Sequence, residues 1–280
     1  MTAQADRRPL SGVTELVALA RAGAMGPDPA GSRVSVAFTT RQGARHVSRG
    51  QVYRNTVISV RIGDAVGSCA VEPDGADDAA VTDCVGESVA DLLDHPDPAI
   101  RTAVLDAYLM HAHPHHLAAA RHVVIGAGDS LAKSMARAST VVDLLEARPG
   151  QRVLVVGVVN SLLHHLRDRG LRYVPCDLKG GRTEWGEPIV TDALAAVADC
   201  DLVLASGMTV GNGSFEPLLR TAAAAGRPLV VFAQTASAIV PWFLGSGVTA
   251  VSAEPFPFFW LHGGPTTLHL YRSSPAGRDR

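Results

Sequence analysis

The chain has 280 residues, 47% of them apolar and 19% charged, a composition rich enough in buriable surface to exclude a disordered polymer. Twenty-five Lys and Arg stand against 27 Asp and Glu, leaving a net charge of −2. The bulk electrostatic footprint of a nucleic-acid or anionic-membrane binder is therefore missing.

At roughly 150 residues per domain the length allows about two domains. The start, MTAQADRRPL, is not followed by the apolar core and small-residue cleavage site of a signal peptide. No apolar run reaches the roughly 20 residues that span a bilayer. Cys69, Cys84, Cys176 and Cys200 lie far apart with no CxxC pair, which fits reduced core thiols. A cytoplasmic protein without membrane or nucleic-acid partners is the expectation.

Residues 13–22 read as a short amphipathic helix, broken by the Gly/Pro cluster at 26–31. Three β-rich runs follow at 33–40, 52–62 and 65–71, joined by a turn-like RQGAR and by Gly63-Asp64; together they predict an antiparallel meander. Residues 86–94 and 99–111 then carry apolar side chains at helical spacing, the second run starting after Pro96 and Pro98. Residues 1–118 thus form a small α+β domain.

From about residue 119 the pattern changes. Short apolar runs at 153–159, 173–176, 202–205, 229–233 and 248–252 are separated by helical segments. Strands this apolar are buried on both faces, and their spacing suits βαβ crossovers. The prediction for 119–280 is a doubly wound, Rossmann-like parallel sheet, with 269–271 as an added edge strand and the tail SSPAGRDR frayed.

In such α/β sheets ligands lie beyond the carboxyl ends of the strands. After the first strand, Gly157 and Asn160 open a helix without GxGxxG, so the ordinary pyrophosphate turn is absent. Asp177 ends the second strand 20 residues after Gly157, where an acidic side chain either accepts from a ribose or is a solvated turn residue. The loop after the third strand holds Ser206, Gly207, Thr209, Gly211, Asn212, Gly213 and Ser214. Its glycines permit tight turns, Asn212 and Ser214 suit N-caps, and free amides at the next helix could hold an anionic ligand. A well-capped connection without ligand is the alternative. Gln234 and Thr235 after the fourth strand add small polar groups, suited to binding more than to acid–base work.

The run Ala205-Ser206-Gly207-Met208-Thr209-Val210-Gly211-Asn212-Gly213-Ser214, the segment from Val240-Pro241-Trp242 to Gly247-Val248, and Gly263-Gly264 resemble the Rossmann-like "putative heavy-metal chelation" family. The resemblance implies an N-terminal domain similar to that of enolase, which the meander and helices of 33–112 fit. It also implies metal or metal-chelate binding. Ala233-Gln234-Thr235 stands where that family usually has a Gly-Pro-Ser/Thr turn, which places the ligand of typical members in question.

His111, His113, His115 and His116 crowd one segment around Pro114. Imidazole is a common transition-metal ligand, but the proline breaks the helix, so the ligands would have to converge from a bend. A polar linker or subunit contact is the alternative. Ser130 and Lys133 match S-x-x-K by chance, since its companion motifs are missing. The loop 184–188 reads as a solvated turn or a pocket cover. Phe256, Phe258, Phe259 and Trp260 read as core or as a homodimer interface.

Two function classes remain. In the first the protein binds a small polar or anionic ligand, or a divalent transition metal as a chelate, at the strand ends near the domain junction. In the second it is an enzyme of small-molecule metabolism using S-adenosylmethionine or a nucleotide, with Asp177 on the ribose. The site set is Gly157, Asn160, Asp177, Ser206, Gly207, Thr209, Asn212, Gly213, Gln234 and Thr235, with the four histidines as metal ligands.

Overall fold

The computed structural model describes residues 9–45, 52–72 and 75–273. Of the expected frayed tail, Ser273 is held by its amide donating to the Thr249 carbonyl at 3.0 Å, and 274–280 lie outside the described residues. Helix α1 (Val13–Arg21) precedes a meander of β1 (Val34–Arg45), β2 (Val52–Ile62) and β3 (Ala65–Val71), whose strands pair antiparallel in the order β1-β2-β3. Gly63 turns β2 into β3 with a φ of 58°, as expected. RQGAR is not a turn: residues 41–45 continue β1 in register with β2, Arg41 opposite Thr56 and Arg45 opposite Val52. The pairing of a whole cross-strand partner outweighs one glycine's turn preference, and Gly43 stays in the strand.

Helices α2 (Asp78–Asp83) and α3 (Val89–Leu92) are short, so the expected helix over 86–94 shrinks to one turn capped by Ser88, and α2 was not anticipated. Helix α4 (Pro98–Ala112) begins with Asp97 accepting from the Ala99 amide and Pro98 in the first turn, both strong start signals. It is buried on nearly every side, because β3 covers one face. Gly67 makes this contact: a Cβ there would sit 1.9 Å from the Ala107 nitrogen.

Pro114 separates α4 from the single turn α5 (His115–Ala118). The larger sheet then builds from β4 (Arg121–Ile125), helix α6 (Ser130–Asp143), β5 (Arg152–Val156), α7 (Asn160–Asp168), β6 (Arg172–Cys176), α8 (Ala193–Ala196), β7 (Leu202–Ser206), α9 (Met208–Gly211), α10 (Phe215–Ala224), β8 (Leu229–Ala233), β9 (Val248–Ala253) and β10 (Thr266–Arg272). Its order is β4-β10-β9-β8-β7-β5-β6, with β5 to β9 parallel and β10 antiparallel to both neighbours. The parallel α/β reading holds, with two differences. Strand β10 is interior, and β4, absent from the expected strands because of its exposed Arg121 and His122, takes the edge. Between β8 and β9 there is only a 3-10 turn, Val240–Phe243, instead of a helix.

Alternation along the buried strands sends Val153 and Val155 to one face with α6 and α7. Leu154 and Val156 face the other way, in a cluster that also holds α10, α4, α1 and the meander. Both sheets therefore share one continuous apolar layer. The aromatic run is largely core: Phe258 and Phe259 are buried, and Phe256 meets Phe38 of β1 edge-on with centroids 5.5 Å apart. No described helix is long and apolar enough to cross a membrane.

Candidate functional site

The chain leaves β5 for β6 on one side and reaches β7, β8 and β9 on the other. That reversal puts the crevice where ligands bind at the carboxyl ends of β5 and β7. Several expected residues meet there. Gly157, at φ 87°, lies so close to Ser206 that a Cβ would stand 2.7 Å from the serine Cβ, and at Gly207 one would stand 2.3 Å from the Thr235 carbonyl oxygen. Close backbone approach is thus the reason for both glycines. The Ser206 hydroxyl accepts from the Met208 amide at 3.3 Å, and Thr209 donates to the Ser206 carbonyl at 2.7 Å. Asn160, at the start of α7, is buried. The Asp177 carboxylate holds its own turn, accepting from the Val158 and Lys179 amides at 3.4 and 3.1 Å.

Two residues of the expected set, Asn212 and Gly213, are elsewhere. Asn212 and Gly213 line a separate cavity of about 650 Å³ with Val13, Pro98, Arg101 and Glu216. The Asn212 side chain accepts from the Ser214 amide at 3.0 Å. Ser214 occupies the N-cap position of α10 without a side-chain capping bond. Glu216 in that first turn accepts from the Val13 amide at 2.6 Å. The Ser214 amide and the Glu216 carboxylate of this turn are thus engaged with protein groups.

The meander reaches every strand-end loop. Asn160 Nδ2 donates to the Tyr53 hydroxyl of β2 at 3.0 Å, and Lys179 pairs with Glu72 at 3.0 Å. The Ala236 amide donates to the Ser68 carbonyl at 2.9 Å. Asp106 of α4 accepts from Ala238 and Ser68 amides at 2.7 and 2.8 Å. Burial raises its pKa to about 7, while the two amides pull the other way.

Beside Tyr53, whose cross-strand partner is Ala44, a second cavity of about 580 Å³ opens. It is lined by Thr40, Arg41, Gln42, Gly43, Ala44 and Arg45 of β1 with Ser130 of α6, Trp260 and Leu261. Arg41 also pairs with Asp78 at 2.9 Å. Two guanidiniums, an amide and hydroxyls over an indole wall suit a polar anion.

Beneath the strand ends lies a buried charged group. Arg137 Nε donates to Glu254 Oε2, which also accepts from Gln234 at 3.1 Å. Burial pushes the Glu254 carboxyl up and Arg137 pulls it down. Lys133 is fully buried and donates to the His262 and Gly264 carbonyls, a structural use that leaves S-x-x-K without chemistry. Sequence reading missed Tyr53, Arg41, Arg45, Arg137 and Glu254. Only Glu254 had a local signal, as the first polar residue after an apolar strand.

Of the four histidines around Pro114, His111, His113 and His115 each turn to a different partner. His111 pairs with Asp64 at 2.9 Å, His113 bonds the Met25 carbonyl at 2.7 Å, and buried His115 meets Tyr271 at 2.6 Å and Ser237 at 3.3 Å. The proline turns the chain between His113 and His115, so these three rings find different neighbours. Burial depresses His115 to about 3. Among the described residues no group of three or more His, Cys, Asp or Glu is placed to hold a metal. The cysteines are free and buried. Burial raises their thiols, Cys176 to about 11 and Cys69 to about 12, which opposes the thiolate a soft metal needs.

Residues 140–253 match a family described as "Putative heavy-metal chelation" (DUF364). The chain is similar in structure to a protein of unknown function from that family from Desulfitobacterium hafniense, with a TM-score of 0.57 at 15% identity, covering 93% of this chain and 99% of that one. A second such protein, from Pyrococcus horikoshii, has a TM-score of 0.44 at 16% identity over 85% and 86% of the two chains. No curated protein matches.

Proposed function

We propose, from the match of residues 140–253 to the chelation family, that this chain binds a small polar anion, including one that carries its own chelated metal, where the β1–β2 hairpin meets the strand ends. The cavity of about 580 Å³ lined by Arg41, Arg45, Gln42 and Ser130 carries this reading. The donor set favours a chelate over a bare ion. At the strand ends it consists of amides and hydroxyls, with Asp177 and Glu254 already partnered, and thiolates are disfavoured by burial. Arg45 would neutralise the ligand, Arg41 would share its charge between the ligand and Asp78, Gln42 and Ser130 would orient it, and Trp260 would exclude water from one side. In the adenosyl reading a ribose would have to compete with two amides for Asp177.

Phosphate, citrate and iron(III) citrate are the probes, read by thermal shift and calorimetry. Citrate or its iron complex is expected to stabilise the protein, by about 2.7 kcal/mol at a hundredfold excess over Kd. Arg45→Ala should weaken binding by tenfold or more. Absence of binding by all three anions, or equal binding by wild type and Arg45→Ala, would overturn the reading.

A further inference from the structure

The antiparallel register of β4 and β10 places His122 directly opposite His269. Their Nδ1 atoms are hydrogen-bonded to one another at 3.0 Å, one ring donating and the other accepting, with ring planes at 81°. Neither belongs to the segment that crowds histidines in sequence. Their partnership depends on β10 being inserted beside β4, and Leu268 opposite Val123 and Leu270 opposite Arg121 fix it on both sides. His122 is exposed and His269 half-buried. Behind them His115 stacks on the His269 ring at a centroid distance of 5.2 Å, itself held by Tyr271 and Ser237.

We propose that His122 and His269 form a surface site for a transition-metal ion, with copper(II) or nickel(II) favoured and water completing the coordination. Two imidazole nitrogens each about 2.0–2.1 Å from a metal and 3.0 Å from one another subtend roughly 91–97° at the ion. That is the angle between adjacent positions of a tetragonal centre, and tetragonal nitrogen ligation selects copper(II) or nickel(II) over tetrahedral zinc. The strand pairing supplies the spacing before any ion arrives, so little ordering remains to be done on binding. The two Nδ1 atoms share one proton in this hydrogen bond; with both rings in the Nε2–H tautomer each Nδ1 offers a lone pair, and the ion replaces that proton between them. His115, stacked on the inner ring, is a positioning residue for its plane. The site is separate from the anion cavity, whose lining comes from β1, Ser130, Trp260 and Leu261.

The test titrates hydrated copper(II) into the full chain, followed by calorimetry and electron paramagnetic resonance. The expected result is one ion whose signal shows two equatorial nitrogens, with affinity in the order copper, nickel, zinc. His122→Gln and His269→Gln should each weaken copper binding by at least tenfold and reduce the nitrogen count. His164→Gln, at another exposed histidine, should leave binding unchanged, and citrate binding should be unaffected by all three. His122 is exposed on an edge strand, so its variant folds and keeps the test decisive even if His269→Gln does not. Copper bound equally by wild type and His122→Gln, or a signal with a single nitrogen, would overturn the proposal.

Discussion

Asp106 shows how one side chain can join two sheets. Its carboxylate accepts from Ser68 in β3 and from Ala238 in the loop after β8. Burial lifts its folded pKa to about 7, above the unfolded value near 4. The folded state therefore keeps the proton longer, so the stability linked to this proton is fully present below about pH 4 and is lost as pH rises toward 7. Thermal unfolding from pH 4 to 8 should show wild type losing stability relative to Asp106→Asn as pH rises, by up to about 1.4 kcal/mol per pH unit, and levelling above 7. A pH-independent difference would refute the assignment. Gly67 has a steric role at the same contact. With α4 backbone 1.9 Å from its missing Cβ, Gly67→Ala must push helix and strand apart, and a loss of about 1–3 kcal/mol is expected in a urea titration.

Among the elements, α6 docks through a buried charge pair as well as an apolar face. Ala138, Val141 and Val142 pack its apolar side on the large sheet, and Arg137 crosses to Glu254 just past β9, between the rings of Phe232 and Phe259 at 5.7 Å from each. Removing one partner leaves the other charge buried and alone, so Arg137→Ala should cost about 3–5 kcal/mol. The apolar pair Arg137→Met with Glu254→Leu should cost much less, because it removes both desolvated charges together. Denaturant midpoints of the three proteins decide this; equal losses for the single and paired replacements would contradict it. The hairpin of β1 and β2 was recognisable from alternation. Its length was not, because RQGAR carries a local turn preference that only pairing with Thr56 and its neighbours overrides.

For the molecule as a whole, the apolar layer that includes both the meander and one face of the large sheet predicts a single cooperative unfolding transition. Signals from Trp242 and Trp260 should follow the same denaturant curve as far-UV circular dichroism; two separated transitions would show that each sheet keeps its own core. The sequence alone determined the class of architecture. Apolar runs of strand length separated by helical periods are local patterns, and they specify a parallel α/β sheet preceded by a meander. Part of the strand-end set was legible for the same reason, since loops after buried strands can be found by counting. Only the tertiary structure decided which loops meet: it brought Gly157 against Ser206 and Gly207 against Thr235, sent Asn212 to another cavity, turned His111, His113 and His115 to different partners and paired His122 with His269 across 147 positions. Strand order and cross-strand register arise from packing between distant segments, and no local periodicity encodes them.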